Sequence, residues 1–147
     1  MTGTATYAQA CATTTALPAQ AVNPFRPEPR DPDQVVIPFY AMSANGGDAA
    51  VATIVAPFNF KLKRIDTVLL GGALATGNFT LTAAIAGTPV TGGVVTVTQA
   101  GSAAGDKDFA EPTAANSGVQ GATITLTGGG SSTGNRTING FLTLQRV

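Results

Sequence analysis

Phe79, Leu81, Ala83 and Ile85 alternate with Thr80, Thr82 and Ala84. Side chains of a strand point to opposite faces in turn, so this run predicts a strand with one buried face and one wet face. Val95 and Val97 against Thr96 and Thr98 repeat the pattern, as do Ile124 and Leu126 against Thr123, Thr125 and Thr127. In the final run, Thr137 to Val147, residues Ile138, Leu142 and Leu144 share a face. Phe39, Phe60 and Phe79 fall on faces that look inward and are expected in the core.

Upstream, Gln34 to Met42 places Val35, Ile37, Phe39 and Ala41 on one face, and Pro38 marks an edge or a bulge. Ala44-Asn45-Gly46-Gly47 predicts a tight turn with positive φ, and Ala49 to Ala56 its hairpin partner. There Val51, Thr53 and Val55 alternate with Ala52 and Ile54, apolar enough on both sides for a strand covered on each face. Such a face also favours self-association, with dimer and trimer equally open. Between Phe58 and Leu70 the apolar parity switches: Phe58, Phe60 and Leu62 are followed by Ile65 and Leu69. A switch of this kind predicts a bulge or a bend that carries the strand from one sheet to the other. Lys61, Lys63 and Arg64 then read as a solvated edge that blocks strand addition.

Gln99 to Gln120 is poorly patterned and reads as a long loop carrying acidic residues, and Gly128 to Ser132 as a second loop. No segment carries an apolar stripe at helical spacing. About seven or eight short strands follow, and the economical fold is all-β: a jelly-roll or Greek-key β-sandwich over 34–147. From Met1 to Asp33 alternation disappears, and prolines at 18, 24, 27, 29 and 32 exclude a continuous helix or interior strand. Residues 1–33 therefore read as an extended N-terminal arm rich in Pro, Ala and Thr.

Composition narrows the chemistry. The 147 residues contain no histidine and one cysteine, so no Ser-His-Asp or Cys-His pair and no Cys/His zinc site can be built within the chain. Asp106, Asp108 and Glu111 in AGDKDFAE are the one cluster of carboxylates, a pattern compatible with a calcium loop or a glycosidase pair. The oxygen ligands and turn glycine of a calcium loop are missing, and a solvated loop is the better reading. Gly128 to Thr133 lacks the lysine of a phosphate loop. The residues thus point to no enzyme, with no catalytic, cofactor or metal residues.

Eight basic and eight acidic residues balance, so no field draws the chain to nucleic acid or a membrane surface. The N-terminus lacks a basic start followed by an apolar core, and no apolar run reaches the roughly 20 residues of a span, so synthesis in the cytoplasm as a soluble protein is expected. Without a secretory segment, the glycosylation sequons at Asn78 and Asn135 carry no weight. Cys11 alone closes no intramolecular disulfide and reads as a small residue of the arm.

The runs FKLKRIDTVLL, ALATGNFTLTAAIAGTPV, GATITLTG and NRTINGFLTLQRV resemble the jelly-roll module of decoration (cement) proteins of tailed-phage capsids and of some phage fibre proteins. The resemblance covers Phe58 to Val147 and departs at Gly101 to Val119, which is longer and more acidic than the family pattern. It implies a non-enzymatic virion protein, a homo-oligomer on the outer capsid surface that ties neighbouring major capsid protein subunits together. The arm suits that role. Ordering a residue costs roughly 1–2 kcal/mol of backbone entropy, to which Ala and Pro add almost no side-chain part. Tyr7, Pro24, Phe25, Arg26 and Arg30 are its candidate capsid contacts. The alternative is a phage fibre or adhesion module that binds a carbohydrate or a cell-surface receptor.

Overall fold

The computed structural model describes residues 33–147. Residues 1–32, and with them the candidates Tyr7, Pro24, Phe25, Arg26 and Arg30, lie outside the described residues. The described residues form nine strands: β1 Gln34–Ser43, β2 Val51–Val55, β3 Phe60–Leu70, β4 Phe79–Ile85, β5 Thr88–Val97, β6 Lys107–Ala110, β7 Ser117–Gly118, β8 Thr123–Gly130 and β9 Thr137–Arg146.

The strands form two antiparallel sheets, β1-β9-β3-β6 with β7 also on β3, and β2-β8-β4-β5. This is the jelly-roll order. Its origin is a folded ribbon in which β1 and β2 run alongside β9 and β8, while β3 and β4 run alongside β6 and β5. The links between sheets pair as well. Ala44 N–H donates to the Arg136 carbonyl at 2.8 Å, and Gly46 N–H to the Ser132 carbonyl at 2.9 Å.

Alternation builds the core as the sequence indicates. Phe79, Leu81, Ala83 and Ile85 are buried on β4, Val95 and Val97 on β5, Ile124 and Leu126 on β8, and Ile138, Leu142 and Leu144 on β9. Phe39 and Phe60 join them, and the layer between the sheets is continuous. The β4–β5 hairpin turns through Ala86 (φ 48°) and Gly87 (φ 81°), the two positive angles that a two-residue turn matching strand twist requires.

Several expectations are corrected. On β1 the pairing with β9 shifts between Phe39 and Met42, Ala41 adopts φ 54°, and Met42 takes the inward place expected of Ala41. Pro38 does mark an edge strand. The segment after β1 closes no hairpin, because its amides bond to the β8–β9 link and β2 enters the other sheet. Gly46 lacks positive φ there; a side chain on it would strike the backbone of Gly130, and positive φ falls on Ala49 instead. Nor is β2 covered on both faces: it is an edge strand with Val51 and Val55 exposed.

The parity switch in β3 is a bulge between Leu62 and Arg64, but the strand stays in one sheet, paired to β9 along its whole length. It lies between β9 and β6, so Lys61, Lys63 and Arg64 guard no edge. The expected loop 99–120 contains β6 and β7, whose few residues are too short to show periodicity. The expected glycine loop begins as strand, since Gly128–Gly130 pair with β4 and the Phe79 ring occupies the space beside Gly128.

Candidate interaction surface

Residues opposite one another on neighbouring strands share a face, so the pairing registers map the outer surface of the five-stranded sheet. One row runs Pro38, Phe141, Asp66, Phe109 across β1, β9, β3 and β6. The next runs Val36, Thr143, Arg64. Apolar side chains that alternate with the core stand in solvent on this face: Tyr40 is 70% exposed, Phe109 56%, Val36 47% and Phe141 38%.

The bulge at Lys63 shifts Arg64 outward. Its Nε donates to both carboxylate oxygens of Asp66, at 2.8 and 3.0 Å, and its Nη1 to Glu111 at 3.1 Å. The guanidinium carbon lies 3.9 Å from the Phe109 ring centroid. The hydrogen bond to Asp66, with the negative charge of Asp66 and Glu111, raises the Arg64 pKa further. A planar cation held by two carboxylates and a ring is ordered in advance of any contact. Beside it an open groove of about 440 Å³ is lined by Gln34, Lys63, Arg64, Glu111, Pro112, Thr113 and Thr143.

The three carboxylates weighed as a cation loop go separate ways. Asp106 accepts from the Ala103 amide of its own turn at 2.6 Å, and Glu111 binds Arg64. Burial, and then the charge of Asp106, push the Asp108 pKa up. Among the described residues no group of three or more His, Cys, Asp or Glu side chains is placed to hold a metal ion.

The aromatic surface was readable in part. Tyr40 follows inward Phe39 and Phe141 precedes inward Leu142, so parity alone puts both outside. Phe109 carried no such signal, lying in the segment expected to be loop. Among the described residues no helix is long and apolar enough to cross a membrane. Comparisons with protein-family models, curated proteins and solved structures return no match.

Proposed function

We propose that this chain is a structural virion protein that binds the outer surface of an assembled phage capsid and ties neighbouring major capsid protein subunits together. The observation that carries the reading is the outer face of the five-stranded sheet, where Tyr40, Phe109, Phe141 and Val36 are exposed around the fixed Arg64. Exposed apolar side chains gathered on one face, with a cation already ordered among them, mark an interaction surface rather than a reaction centre. The proline-rich residues 1–33 are the second attachment in this reading, with Tyr7 and Phe25 as anchors beside Pro24, Arg26 and Arg30. The resemblance of Phe58 to Val147 to decoration modules points the same way.

A second reading, an adhesion module for a carbohydrate, is favoured by one observation: Phe109 and Tyr40 are exposed rings on which a sugar face could stack. Cryo-electron images of particles with and without the chain separate the two. Cement gives ordered density across capsid subunit junctions. An adhesin gives no such density and binds immobilised glycans instead.

A further inference from the structure

We propose that the free edge of β2 pairs with the same edge of a second copy of this chain, antiparallel, about a two-fold axis through Thr53. The proposal stands on backbone geometry and is independent of the capsid reading.

Three of the four sheet edges are guarded. On β5, Thr91 already donates to the Ala114 carbonyl at 3.0 Å and accepts from the Thr113 amide at 2.9 Å. β6 carries Lys107 and Asp108, and β1 has a proline without an N–H at 38 and a break in register after Phe39. Charge, proline, bulges and cover are the devices that keep edges from adding strands. Among the described residues β2 has none of them: Val51–Val55 (VATIV) contains no charge and no proline, and its pairing with β8 is unbroken from Val51–Thr127 to Val55–Thr123.

The direction of its free groups follows from its bonds. The Ala50 carbonyl accepts from Gly128 N–H at 2.8 Å, and Ala56 N–H donates to the Ala122 carbonyl at 2.9 Å. Backbone direction alternates along a strand, so even-numbered residues face β8, and the N–H and C=O of Val51, Thr53 and Val55 face the open edge. A two-fold through Thr53 sets Val51 against Val55 of the copy, Thr53 against itself and Val55 against Val51. All outward donors and acceptors of both copies are then paired. Val51 and Val55, 59% and 63% exposed, meet as β-branched cross-strand partners.

Charge selects the occupant. The sequence has no charged residue between Asp48 and Lys61, so a charged partner strand finds no counter-charge along this edge, whereas a second copy brings no repulsion. The same register leads Asp48 of one copy toward the turn where the Arg146 guanidinium of the other lies 4.7 Å from the Phe58 ring centroid. One short strand pair falls below the roughly 1,200 Å² of a standard stable interface, so the expected dimer is weak.

Sedimentation velocity of the full chain, at concentrations up to about 1 mM, tests it. The wild type should shift from monomer toward dimer, and Thr53→Lys, which sets like charges opposite each other across the axis, should remain monomeric with an unchanged melt. In a Cys11→Ser background, Thr53→Cys should oxidise quickly to a covalent dimer, because Cα atoms of a hydrogen-bonded pair lie about 5.5 Å apart, within disulfide reach. Thr96→Cys, exposed on β5, should not. A wild type that stays monomeric, a dimer that survives Thr53→Lys, or equal cross-linking at the two positions would each overturn the proposal.

Discussion

The Arg64 guanidinium sits over the Phe109 ring because Asp66, two residues along the same strand, and Glu111, just beyond β6, hold it from two sides. If this face is the attachment surface, removing the ring should weaken binding and spare the fold. Burying an aromatic side chain contributes about 1.5–3 kcal/mol, so Phe109→Ala should lower affinity for assembled shells roughly ten- to a hundredfold. Its thermal melt should stay near wild type. Arg64→Lys should weaken binding as well, because an ammonium cannot reproduce the planar fork. Binding isotherms and melts of the two variants check this; wild-type affinity in both would remove the face from the interface.

Leu81→Ala and Ile124→Ala each open a cavity between the sheets, since both side chains are fully buried. The expected losses are about 2–5 kcal/mol apiece. Thr80→Ala and Thr125→Ala, on the opposite faces of the same strands, should stay within about 0.5 kcal/mol. Urea titrations giving equal losses for the two pairs would contradict the register.

Asp108 predicts a pH dependence of the opposite sign to an ion-paired carboxylate. Burial and then the charge of Asp106 raise its pKa in the folded state, so the native protein holds that proton more tightly than the unfolded chain. Stability therefore falls as pH rises through the ordinary carboxylate range and up to the raised value. Asp108→Asn should stabilise slightly at neutral pH, by no more than about 0.5 kcal/mol at this partly exposed position. The gain should vanish in acid, where Asp108 is protonated in both states. Melts of the two proteins at neutral and acid pH check the sign, and a destabilised variant at neutral pH would refute it.

How much of this was legible depended on chain length per element. The strands carrying Leu81, Val95, Ile124 and Leu142 show period two over enough residues to fix both existence and facing. Pairing was less visible. Nothing in Val51–Val55 says that its partner is β8 rather than β1, because that choice is made by amides of Ala44 and Gly46 reaching Arg136 and Ser132, far away in sequence. The surface site was hidden for the same reason. Arg64, Asp66, Phe109 and Glu111 meet only when β6, a four-residue strand, lies against β3. The bulge was readable from parity, yet that it turns a basic residue out toward a ring was not.

Co-sedimentation with assembled capsids lacking the protein tests the proposed attachment to a shell. The intact chain should pellet with the shells. A version without residues 1–33 should melt like the intact sandwich by circular dichroism yet remain largely in the supernatant, since the proposed anchors Tyr7 and Phe25, at about 1.5–3 kcal/mol each, would together lower affinity by several powers of ten when removed. An intact chain left in the supernatant would contradict the account; equal pelleting of the two forms would place attachment on the sheet face alone.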